Sequence, residues 1–226
     1  MPRILLTSGP DDWQKLLADR KHWRLGYSAR TLAHCWEKAP DGFPPEVAKV
    51  LRQTTDPLLA NLVPVLAVPE FKVPLPGGNR ASQNDVFVLA RSSAGPVCIM
   101  VEGKVNESFG PTLDEWRIDA SPGKDERLSF LLRTLCVSGV PSGDIRYQLF
   151  HRATSAIITG EQYRAAAAIA LVHSFSEQHT GWPDYEAFVR LLGVQAVRDT
   201  VQRVANSTAV PLFVAWVAGD CSFLKS

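Results

Sequence analysis

Two apolar, β-branched runs, Asp85–Ala90 and Val97–Val105, lie one after the other, joined by the short polar stretch RSSAG. Such a pair is the signature of a β-hairpin buried in a sheet. What constrains the chain further is the charge these runs carry. Asp85 opens the first, and Glu102 and Lys104 sit near the end of the second. Side chains alternate along a strand, so Glu102 and Lys104 share a face with Cys98 and Met100, while Val97, Ile99, Val101 and Val105 line the other. The hairpin then sets Asp85 beside them, and three ionisable groups meet at one end of an apolar sheet.

A carboxylate buried alone costs several kcal/mol, on the order of its lost hydration, and two together repel. A hard divalent cation removes both penalties, since Mg²⁺ binds carboxylate oxygens and keeps part of its water shell. A lysine two residues from one ligand can orient the attacking water or neutralise developing phosphate charge. The spacing therefore suits phosphodiester hydrolysis, with Asp85 and Glu102 binding Mg²⁺ or Mn²⁺ and Lys104 serving the water. Read blandly, Asp85 caps a turn and Glu102–Lys104 is an exposed ion pair on an edge strand.

The rest of the chain is consistent with a helix-flanked sheet. Helices are expected over much of Pro2–Ala39, with Ser28 as an N-cap, then from Pro44 or Pro45 to Leu51, over Lys124–Cys136, over Ile145–Ile158, and in WPDYEAFVRLLG. Short strands are expected in PVLAV and EFKVPL, at Ile169–Phe175, and in VPLFVAWVAG. With 226 residues, 46% hydrophobic and 21% charged, the chain suits a single domain, 1–226, with an N-terminal helical extension. A net charge of +1 excludes a strongly basic protein that coats nucleic acid. Four scattered cysteines, with no C-x-x-C pair, read as free thiols of a cytoplasmic protein. No apolar run has the roughly 20 residues needed to span a bilayer, and no secretory leader is evident.

With these motifs in place, ND…VEGK resembles the Asp…(Asp/Glu)-x-Lys signature of the PD-(D/E)XK nuclease superfamily. Asn84 stands where the signature's Pro would be. The resemblance implies a restriction-endonuclease-like α/β fold: an αβββαβ core with a central mixed sheet flanked by helices, Asp on one strand and E-x-K on the next. It implies a further acid from an early helix, for which Glu37 is the candidate metal ligand. DIRYQLFHR is similar to the helix in which RecB-like members space Gln and Tyr four apart; here Arg146 and Phe150 have that spacing and Gln148 lies between them. LPGGNRASQNDVFVLAR, VEGKVNESFGPTLDEW and RYQLFHRATSA together resemble a bacterial family of the superfamily, over most of the chain from about Trp23 onward. That closer likeness brings no established substrate.

Other polar groups complete the expectation. Gln148, His151, Arg152 and Ser155 form one helical stripe; read blandly it is solvated, and read functionally Gln148 and Arg152 grip phosphate. Gly77, Gly78, Asn79 and Arg80 lead into Asp85; read blandly they are an ordinary Gly-rich turn, and read functionally a loop over the site in which backbone N–H groups or Arg80 meet an anion. Glu107 reads as a loop residue, or functionally as a further site acid, Trp116 and the Trp23/Tyr27 pair as base-stacking or buried aromatics, and His173 as a core histidine. The function expected is a Mg²⁺-dependent nuclease acting on nucleic acid, DNA ahead of RNA, with dimerisation an open option. The alternatives are a non-catalytic binding or regulatory protein on the same fold, and a hydrolase of small phosphate esters.

Overall fold

The computed structural model describes residue 4 and residues 6–205 and 208–226. Its centre is a six-stranded mixed sheet in the order β1-β2-β3-β4-β6-β5. β1 (Val63–Val73), β2 (Ser82–Ser92) and β3 (Gly95–Lys104) form an antiparallel meander. β4 (Ala167–Ser174) runs parallel to β3 and to β6 (Leu212–Ala218), and β5 (Thr200–Arg203) closes the far edge antiparallel to β6. The chain is therefore a mixed α/β protein.

Both sheet faces are buried, as the unbroken apolar runs require. α2 (Ser28–Glu37) and α3 (Pro45–Gln53) cover one face, packing Leu32, Trp36, Val47 and Leu51 on Val97, Ile99 and Val101. α5 (Pro122–Thr134), α6 (Tyr147–Gln162) and α7 (Trp182–Leu191) cover the other, with Leu131, Phe150 and Phe188 in the layer over Phe87, Cys98 and Met100. The alternation read from β3 is the one observed. Among the described residues, no helix is long and apolar enough to cross a membrane.

Several local expectations are corrected. The first helix, α1, spans only Pro10–Trp13; the chain turns after it, and a 3-10 turn follows at Arg20–His22. The expected helix over residues 2–39 thus breaks into pieces, and residues 1–3 and 5 of it lie outside the described residues. Ser28 is the first helical residue of α2 rather than its cap, and its N–H donates to Glu107 Oε1 at 2.7 Å. PVLAV and EFKVPL form one strand, β1, whose prolines are tolerated because it lies at the sheet edge. α4 (Leu113–Arg117) and β5 are too short to carry a clear period.

Candidate metal centre

The site forms where β2 and β3 part. Their ladder ends at the pair Val86↔Val101, so Asp85 and Glu102 no longer share backbone hydrogen bonds. The Gly103 N–H instead donates to Asp85 Oδ2 at 2.8 Å. Gly103 has a second constraint: a Cβ there would lie 3.0 Å from Leu32 Cδ2 on α2. Glycine lets α2 press on β3 at this point without Leu32 having to shift. Asn84 is fully buried, and its amide donates to the carbonyls of Phe71 and Ser82, tying β2 to β1 beside the site.

Glu102 and Lys104 are 4% and 5% exposed, so they are no surface ion pair. Lys104 Nζ donates to Glu102 Oε1 at 2.8 Å and stands 4.8 Å from the Phe109 ring centre. α6 brings the polar stripe inward: Gln148 Nε2 donates to Glu102 Oε1 at 2.8 Å and Arg152 Nε to Oε2 at 2.5 Å. Arg152 Nη1 also reaches Ser82 Oγ at 3.2 Å, and that hydroxyl pairs with His151 Nδ1 at 2.8 Å. The stripe is a wall of the site, not a solvated face. Burial presses the Glu102 carboxyl toward neutrality, but Arg152 and Lys104 outweigh it and hold the group below the usual carboxylate range.

A third acid was not legible in the sequence. Glu70, on β1, lies opposite Asp85, bracketed by the pairs Pro69↔Val86 and Phe71↔Asn84. Its φ is +52°, a left-handed conformation rare for a residue with a side chain. Gln83 Nε2 donates to Glu70 Oε2 at 2.6 Å. Burial, with a contribution from Glu102, pushes the Glu70 carboxyl up to about 7. Burial, then the charges of Glu102 and Glu70, raises Asp85 well above its ordinary value. The only sequence signal was a Glu after a proline in an apolar stretch.

These residues line a cavity of about 600 Å³. Residues 74–81 form one wall. Arg127 on α5 clamps that loop by donating to the carbonyls of Leu75, Pro76 and Gly78, so its charge is committed to the backbone. Gly77, at φ +75°, lies so close to Gly123 and Arg127 that no side chain fits. Arg80 stands exposed at the rim. Trp116 stacks on Tyr147 at 4.1 Å.

Of the residues singled out from sequence, Asp85, Glu102, Lys104, Gln148 and Arg152 come together and Arg80 borders them. Glu37 is corrected: it is not part of the cavity lining, and its Oε1 accepts from Thr7 Oγ1 and Trp13 Nε1, anchoring the N-terminal segment to α2. Glu107 does line the cavity, but its carboxylate serves the backbone, accepting from the N–H groups of Ser28 and Val105. Trp23 and Tyr27 do not line the cavity.

The donor set suits a hard cation: three carboxylates and no sulfur. Arg152 already serves there as a stand-in, since Glu102, Asp85 and Glu70 each stabilise its charged form. Among the described residues, the trio of potential ligand atoms within 4.8 Å of one another is Cys35, Glu46 and His173, on the other face of the sheet. There Trp36 Nε1 donates to His173 Nδ1 at 3.3 Å, burial drives the imidazole down to about 3, and burial raises the Cys35 thiol. His173 is a core histidine, as its apolar run implied.

No curated protein and no solved structure matches the chain. A family model described as a domain of unknown function (DUF6946) matches residues 6–221, and the chain belongs to that family.

Proposed function

We propose that this protein is a divalent-cation-dependent phosphodiesterase of the nuclease type, built on a restriction-endonuclease-like αβββαβ core. One observation carries the reading. Acids from three successive strands, Glu70, Asp85 and Glu102, line one cavity together with Lys104, and burial outweighs the nearby cations to raise the Asp85 and Glu70 carboxyls, a penalty a bound cation would relieve. The element order supports the core: α2, then β1 to β3, then α6 and β4, with Asp85 and the Glu102–Lys104 pair on adjacent strands.

Asp85, Glu102 and Glu70 would hold Mg²⁺ or Mn²⁺. When bound, the cation supplies Lewis-acid activation of water and phosphate oxygens. Lys104, fixed by Glu102 and by the Phe109 ring, orients the attacking water. Gln148 and Arg152 face the same space from α6 and hold the phosphate, Arg152 with a planar fork. Arg80 draws an anion to the rim. DNA is proposed ahead of RNA.

The test is Mn²⁺ binding followed by cleavage of labelled single- and double-stranded DNA, RNA and a chromogenic phosphodiester. Metal-dependent cleavage lost in a folded Lys104→Met variant is expected. A protein that binds no divalent cation and cuts none of these substrates would sink the reading, and leave a non-catalytic binding role. A second reading, hydrolysis of small phosphate esters, is favoured by the cavity, whose volume is that of a small-molecule pocket. Cleavage of the chromogenic ester but of no polymer would select it.

A further inference from the structure

The charge around the cavity poses a problem for an anionic substrate. Five carboxylates line it against four Lys and Arg side chains. Three of those four cations are committed: Lys104 and Arg152 to Glu102, and Arg127 to the carbonyls of the 74–81 loop. Arg80 alone among them is left, at the exposed rim. A phosphate entering this state meets acidic side chains and no free guanidinium at the floor.

Arg152 is the one floor cation that can change partner. Arg152 and Lys104 both line the cavity, but the Lys104 side chain is 7% exposed and is held against Phe109, whereas that of Arg152 is 11% exposed. Its grip is on the same carboxylate, Glu102, that a divalent ion would need. A cation at Glu102 and Arg152 at Glu102 repel at close range. Once displaced, the guanidinium is left with the neutral Ser82 hydroxyl and the His151 imidazole, which burial keeps neutral. A buried charge left so poorly paired is costly, and an arriving phosphate supplies the missing anion.

We propose that Arg152 is the resident counter-ion of the metal-free site and passes from Glu102 to a substrate phosphate when a divalent cation binds, so that metal and phosphate bind interdependently. The inference rests on the metal-dependent reading above and assigns Arg152 a second role within it, as a competitor of the cation. It makes the empty site self-neutralising and delays phosphate capture until the site is loaded.

The experiment measures Mn²⁺ affinity by the loss of the free-ion electron paramagnetic resonance signal, on the full chain, with and without excess dimethyl phosphate. Wild type is expected to bind Mn²⁺ about tenfold more tightly with the phosphodiester present, and by linkage the phosphodiester more tightly with Mn²⁺. Arg152→Gln is expected to bind Mn²⁺ alone about tenfold more tightly than wild type and to lose the dependence on dimethyl phosphate. Wild type that binds Mn²⁺ while R152Q binds it no more tightly would overturn the Arg152 assignment and leave the metal reading intact. Absence of Mn²⁺ binding in both proteins would overturn both. Circular dichroism checks the fold. Arg152→Lys, which keeps the charge but not the fork, gives an independent test: reduced coupling is expected, and undiminished coupling overturns the proposal.

Discussion

Glu70 and Asp85 lie opposite each other across the β1–β2 ladder, each half-buried and each raised in pKa, with Gln83 bonded to one and the Gly103 N–H to the other. Two acids so placed repel whenever both are ionised. Glu70→Gln removes the repulsion while keeping a side chain of the same shape. The metal-free variant is expected to melt a few degrees above wild type at about pH 8, on the order of 1 kcal/mol. Its Mn²⁺ affinity is expected to fall about tenfold or more. Thermal melts and metal titration check both.

The sign of the pH dependence follows from the same group. Glu70 is raised from 4.5 to about 7 in the folded protein, so folding favours its protonated form. That contribution is complete below about 4.5 and is lost as pH rises through about 7. Metal-free wild type should therefore lose melting temperature over this window relative to Glu70→Gln, and a saturating divalent cation should recover it. A difference between the two proteins that does not vary with pH would contradict the assignment.

Lys104→Met separates chemistry from metal binding. Lys104 donates to a ligand but is not one, so Mn²⁺ binding should persist. Cleavage should fall by about a hundredfold or more, the usual effect of losing a positioned donor at the reacting centre. Single-turnover rates at saturating metal measure it.

Gly103→Ala should destabilise by about 1–3 kcal/mol, because the new methyl meets Leu32 at 3.0 Å. Leu32→Ala should be destabilising alone, yet the double variant should cost less than the sum of the two. Denaturant titrations of the four proteins give the coupling.

Arg127→Met removes the clamp on three carbonyls of the 74–81 loop. The expected loss is on the order of 3 kcal/mol, as buried acceptors lose a charged donor. Hydrogen exchange should quicken at residues 74–81 before the rest of the sheet.

What was legible in the sequence was what alternation and helical spacing carry. The two faces of β3, the shared side of Glu102 and Lys104, and the alignment of Gln148 with Arg152 all follow from local periods. The direction in which the α6 stripe points is set by Leu149, Phe150 and Ala153 packing on the sheet, and spacing alone left it open. Glu70 was hidden because its place depends on pairing with a residue 15 positions later, and because Pro69 made one strand look like two. Glu37 had the expected residue type in the expected helix, but Trp13 and Thr7 intercept its carboxylate. Such competition arises only in three dimensions.

Glu107 bonds both to the strand end that carries Lys104 and to the first turn of α2. The opening helices look like an appendage when the chain is read in order, but they are stitched to the floor of the cavity by one carboxylate and pressed against it at Gly103. A truncation that starts the protein at β1 would strip one whole side of the sheet and leave that carboxylate holding nothing. The smallest portable version of this site therefore includes the segment before β1, which also lines the cavity with Asp19 and His22.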